Sequence, residues 1–173
     1  MTRPLAPALL AAAMALAATT AMTAPAPKVG IASFAELRTP LPYPYDEQAN
    51  ADAMVAAAKA RAKAEHKLLL IDLGGNWCGD CRILAGPMNL PEVKAFVDAH
   101  YEVVTVDVGR FVKNLGIPAH YGVTTRLEGV PAVLIVDPRG DRLVDAGHIS
   151  ALSDARHMTP QALADWLAQW TPR

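Results

Sequence analysis

The run LLLIDL at 68–73 is apolar at five of its six positions and too short for a helix. Its apolar residues do not alternate with polar ones, so it predicts a strand covered on both faces, as in a parallel sheet. VVTVDV at 103–108 predicts a second strand and AVLIV at 132–136 a third. DPRG is a turn signal, and DRLVDAG at 141–147 predicts a fourth strand that returns antiparallel to the third. Between these runs the period changes to that of helices. The alanine-rich stretch DEQANADAMVAAAKARAKAEHK opens with acids and closes with bases, which suits a helix dipole and predicts a helix over about 47–65. A second helix is expected to start near Cys78, to be interrupted at Gly86-Pro87, and to resume in NLPEVKAFVDAH with Asn89 as cap and Pro91 in the first turn. KNLGIPAHYGV at 113–123 reads as irregular or briefly helical. At the C-terminal end Thr159 caps, Pro160 fills the first position, and Leu163, Trp166, Leu167 and Trp170 repeat at helical spacing as core residues. Strand, helix, strand in this order implies a right-handed parallel crossover.

The chain of 173 residues is long enough for one domain with a real core, and 52% of it is apolar, which excludes a disordered protein. A formal charge of −1 argues against nucleic acid or an acidic membrane surface as partner. The first 24 residues read as a signal peptide: a basic start at Arg3, an apolar stretch from Leu5 to Ala18, then small residues that permit cleavage after Ala21, Ala24 or Ala26. The apolar stretch is shorter than the ~20 residues of a spanning helix, so the mature protein is expected to be free of the membrane, in a periplasm or outside the cell. Residues 25–45 are proline-rich and predict an extended lead-in with little structure of its own, leaving 46–173 as the domain.

The two cysteines of the chain, Cys78 and Cys81, stand in GGNWCGDC directly after the first strand. Half a zinc site needs a second ligand pair, and the five histidines show no suitable spacing, so no metal is expected. A structural disulfide closing so small a loop removes little chain entropy. A redox dithiol, by contrast, needs this closeness: one thiol attacks a disulfide and the other must reach it at once. A helix N-terminus at Cys78 would favour its thiolate.

From Leu68 to the C-terminal helix the chain resembles the thioredoxin family, in which W-C-G-x-C follows a buried strand. Asp72 stands where that family has a buried aspartate, VVTVDV matches its central strand, and GVP at 129–131 matches the segment whose proline is cis and faces the dithiol. The leading helix and NLPEVKAFVDAH are similar to the exported thioredoxin-like branch. Three positions depart from the pattern: Asp80 replaces the usual proline, Gly74 sits where an aromatic residue is common, and Val103 where a lysine often approaches the buried aspartate.

The resemblance implies an α/β thioredoxin-like fold, a mixed four-stranded central sheet flanked by helices, with an extra N-terminal helix. It implies that Cys78 is the nucleophile and Cys81 the resolving thiol, the two forming a disulfide, and that Asp72 accepts the proton of Cys81, its pKa raised by burial. Trp77, Val130 and Pro131 would meet the substrate, the Val130 backbone pairing with an incoming strand and Pro131 keeping metal ions off the thiols. Gly79 and Asp80 would tune the thiol; a bare Asp80 charge roughly 7 Å away would oppose the Cys78 thiolate by about 1–2 kcal/mol. The function expected is an exported thiol–disulfide oxidoreductase acting on disulfide-containing proteins, needing no cofactor, and fed by a membrane electron donor. The alternative is a non-catalytic thioredoxin-fold module that binds a client or a metal ion and retains its dithiol.

Overall fold

The computed structural model describes residues 23–172; the expected signal peptide lies outside the described residues except at its last two positions. A leading helix α1 (Ala51–Ala64) is followed by β1 (Leu68–Gly74), α2 (Gly79–Met88), α3 (Pro91–His100), β2 (Tyr101–Asp107), a short α4 (Gly116–His120), β3 (Ala132–Asp137), β4 (Arg142–Leu143) and α5 (Pro160–Ala168). The sheet order is β2-β1-β3-β4. β1 and β2 are parallel, with Ile71 opposite Val104 and Asp72 opposite Thr105, while β3 is antiparallel to both β1 and β4. This is the expected mixed four-stranded sheet between helices, with a helix before it.

Alternation along β1 supplies two cores. Leu69, Ile71 and Leu73 pack with Val55, Ala58 and Ala62 of α1. Leu70 faces the other way, among Leu84, Val93, Phe96, Leu163 and Leu167. Asp72, two residues after Leu70, therefore points to the side of α2 and α3. Among the described residues no helix is long and apolar enough to cross a membrane.

Several local expectations are corrected. α1 begins at Ala51 rather than 47, because the Asn50 side chain accepts the Ala53 N–H and starts the helix there, while Asp46 accepts the Gln48 N–H in a separate turn. α2 continues through Gly86-Pro87 to Met88. The missing proline N–H falls in the last turn, and the Asn89 amide donates to the Ala85 carbonyl at 3.0 Å. Asn89 thus closes α2 instead of capping α3, which has Leu90 at its cap position without a side-chain bond and Pro91 at its first residue. β4 is two residues long: beyond it the Asp145 carboxylate accepts the Ile135 N–H at 3.0 Å, so a side chain takes the place of strand pairing.

The lead-in carries more structure than its prolines suggest. A 3-10 turn at Phe34–Glu36 is closed by a capping box of Ser33 and Glu36. Leu37 is buried on α2, where a Cβ on Gly86 would meet its Cδ1 at 2.7 Å. Arg82 of α2 donates to the carbonyls of Leu41 and Pro42, and Thr105 of β2 donates to that of Pro44 at 2.8 Å. The segment is strapped across one end of the sheet and delivers Tyr45 to its interior.

Candidate active site

β1 ends at Gly74, and the turn Gly75–Trp77 leads to Cys78, which occupies the cap position of α2. Cys78 and Cys81 are joined as a disulfide, their Cα atoms 5.3 Å apart. The Cys81 N–H points at the Cys78 sulfur at 3.2 Å, one of the free amides that a helix start presents. The same sulfur lies 3.3 Å from the Val130 carbonyl oxygen, and the Val130–Pro131 peptide is cis. Cys78 keeps a sliver of exposure, 7%, while Cys81 has none. One sulfur can meet an external disulfide; the other can meet only its neighbour.

Asp72, on β1, is 2% exposed. Burial pushes its carboxyl up to about 7, against the lowering effect of the hydrogen bond from Tyr45. The Tyr45 hydroxyl donates to this carboxylate, 2.9 Å from each oxygen. Burial, then the charge of Asp72, push the Tyr45 phenol far above its ordinary range, so it remains a proton-bearing donor. The two departures at Gly74 and Val103 meet here. A Cβ on Gly74 would collide with the Tyr45 hydroxyl and the Cys81 sulfur, so Tyr45 fills the room an aromatic at 74 would take. It is also Tyr45, not a lysine, that approaches the buried aspartate.

Trp77 is 39% exposed beside the dithiol, its indole N–H donating to the Gly109 carbonyl at 2.8 Å. Phe111 meets it edge-on and the Arg110 guanidinium lies over its ring. Trp77, Cys78 and Val130 thus lie together at the dithiol.

Asp80 is not the bare charge expected. Arg156, in the 3-10 turn Ala155–His157, grips its carboxylate with Nε at 3.0 Å and Nη2 at 2.6 Å, and the Arg156 backbone N–H donates at 2.9 Å. Burial works to raise the Asp80 carboxyl, but the hydrogen bonds and charge of Arg156 outweigh it and hold it below the ordinary carboxylate range. Gly79, the first residue of α2, lies beside the same guanidinium. The pair presents almost no net charge to Cys78. Removing the arginine uncovers the aspartate: Arg156→Gln should slow alkylation of reduced Cys78 by iodoacetamide about threefold at neutral pH, and Asp80→Asn in the same chain should restore it. Equal rates in wild type and Arg156→Gln would show that the pair only joins helix to loop.

Neither Tyr45 nor Arg156 belongs to the residues expected from sequence. Tyr45 carried a faint signal, an aromatic pair in PYPY at the end of a proline-rich lead-in; Arg156 carried none, being one arginine in a loop.

A family model described as thioredoxin-like matches residues 50–138. Among solved structures, a disulphide isomerase from Xylella fastidiosa Temecula1 is 36% identical over 75% of this chain and 97% of its own, with a TM-score of 0.68. The C-terminal domain of Neisseria meningitidis DsbD in the oxidised form aligns at 22% identity over 70% of this chain and 97% of its own, with a TM-score of 0.48. No curated protein matches the chain.

Proposed function

The chain belongs to the thioredoxin-like family, and from that membership we propose that it is an exported oxidoreductase that reduces or exchanges disulfides in client proteins through Cys78 and Cys81. The general class, thiol–disulfide oxidoreductase, follows from the fold, the dithiol and the similarity to a disulphide isomerase. The observation that carries the finer reading is the asymmetry of the two cysteines: Cys78 keeps 7% exposure, whereas Cys81 has none and its sulfur lies near the Tyr45 hydroxyl that bonds to Asp72.

In the reduced protein the Cys78 thiolate is favoured by the helix start and by the Cys81 N–H. It attacks a client disulfide and displaces the first client sulfur as a thiolate. The mixed disulfide sits against the Val130–Pro131 backbone and the Trp77 face. Cys81 then gives up its proton to Asp72 and attacks the Cys78 sulfur, the second client sulfur leaves with the electron pair, and the Cys78–Cys81 disulfide remains. Asp72 suits this step because a carboxyl near 7 accepts a proton at neutral pH and returns it afterwards.

Export is supported by the first 24 residues, whose short apolar stretch and small-residue end fit a cleaved signal. In an oxidising compartment a reductant must be recharged, which calls for a membrane electron donor. Reduction of insulin by the mature protein with a thiol donor tests the reading: wild type is expected to turn over, and Cys78→Ser and Cys81→Ser to be inactive. A wild type without turnover, but with clients bound, would favour a binding module that merely retains its dithiol.

A further inference from the structure

Both oxygens of Asp72 face the Tyr45 hydroxyl, and among the described residues no other group hydrogen-bonds to this carboxylate. Among the described residues that hydroxyl is therefore the one group that can hand a proton to the carboxylate along an existing hydrogen bond. That hydroxyl and the Cys81 sulfur crowd the same point over Gly74. We propose that Tyr45 relays the proton: its hydroxyl oxygen takes the proton of Cys81 as its own proton passes to Asp72. The relay rests on the reading of Cys81 as the resolving thiol. The Cys81 S–H bond breaks, a proton appears on Asp72, tyrosine ends as it began, and the freed sulfur pair forms the bond to Cys78 while the client thiolate departs.

The position of Tyr45 is held by more than its own contacts. Its N–H donates to the Asn76 side chain at 3.2 Å and the Asn76 amide donates to its carbonyl at 2.7 Å, which clamps Tyr45 to the turn two residues before Cys78. Pro44 is tied to Thr105 of β2. An orienting group held from both sides keeps its hydroxyl in place without motion at the moment of transfer. Asp72 also lines a cleft of about 200 Å³ between the lead-in, α2 and α3, through which its proton can reach solvent. The charged groups around this path are few. Lys94 and Asp98 of α3 line the cleft and pair with each other, and Asp107 at the end of β2, near enough to act on Tyr45, is paired with Lys113.

Reduced protein mixed with excess 5,5′-dithiobis(2-nitrobenzoate) separates the steps. Attack by Cys78 releases one nitrothiobenzoate in a phase that scales with reagent; attack by Cys81 releases the second in a phase that does not. Tyr45→Phe should slow the second phase about tenfold at pH 7 and leave the first within twofold. In an Asp72→Asn background, where no acceptor remains, the same change should have an effect under twofold. An unchanged second phase, or equal slowing in both backgrounds, overturns the relay. Should Tyr45→Phe fail to fold, wild type alone decides: in mixtures of H2O and D2O two protons in flight give a bowed dependence of the second phase, and a straight line overturns the relay. Insulin turnover tests the parent reading separately, since resolution of this small probe requires no protein client.

Discussion

Cys81→Ser protein recovered from the cell should carry disulfide-linked clients, and Cys78→Ser protein almost none. Attack requires a sulfur that a client can reach, and of the two only Cys78, at the cap of α2 beside the Val130 carbonyl, keeps any exposure. Without the second thiol the mixed disulfide persists, because the sealed position offers no other nucleophile. In the converse variant the remaining thiol is fully buried under the helix it belongs to, and no client sulfur can line up with it. The yields should differ by at least tenfold, on the order of the steric and thiolate advantages of the outer position combined. Non-reducing gels of the purified variants, with and without dithiothreitol, measure the difference. Equal or reversed yields would exchange the roles of the two cysteines.

Asp72→Asn should have the second large effect, and it should move activity and stability in opposite directions. Losing the proton acceptor slows reduction of a protein disulfide by about a hundredfold at neutral pH. Stability changes through linkage. The native carboxyl titrates at about 7, above its ordinary value of 3.8, so the folded state holds this proton more tightly than the unfolded chain does. Its contribution is complete below pH 4 and is lost as the pH rises through 7, since a folded carboxylate must then be carried in the interior. Over that window the group costs wild type on the order of 4 kcal/mol. Asparagine does not titrate, so the variant should be more stable than wild type at pH 8 and should lose much of the decline between pH 4 and 7. Asp145, pushed up to about 6 chiefly by burial, leaves a smaller slope of the same sign. Urea unfolding of the oxidised forms at pH 4, 6 and 8 isolates the effect, because the cysteines then do not titrate. A variant with the same pH dependence as wild type would show that Asp72 is not a buried acid of raised pKa.

The patterns that were legible from sequence are those whose cause is local. A doubly buried strand needs a nearly continuous apolar run, and LLLIDL with five of six, VVTVDV with four of six and AVLIV with all five come close to it, so three of the four strands were expected where they occur. The dithiol was legible because Cys-x-x-Cys after such a strand brings its own geometry: three residues are one helical turn, whatever packs around it. The burial of Asp72 was legible through the resemblance, which has a buried aspartate at that position, and the structure leaves the residue 2% exposed. The end of β4 was not legible, because it depends on the Asp145 side chain reaching back to Ile135, a competition between side chain and backbone that no pattern of apolar residues records.

What the sequence by itself determined is the scaffold and the two sulfurs. What tertiary structure alone decided is the environment that makes them chemically unequal. Proline content marked 25–45 as a lead-in with little structure of its own, yet the same segment is a strap that Arg82 and Thr105 tie down and that brings Tyr45 against Asp72, 27 residues away in the chain. The charge of Asp80 was plain in the motif, and its cancellation by Arg156, 76 residues later, was not. Both corrections have one physical reason. Electrostatics and proton transfer act through space over a few ångströms, whereas sequence orders residues along a path, and only the closed fold turns distance along that path into contact.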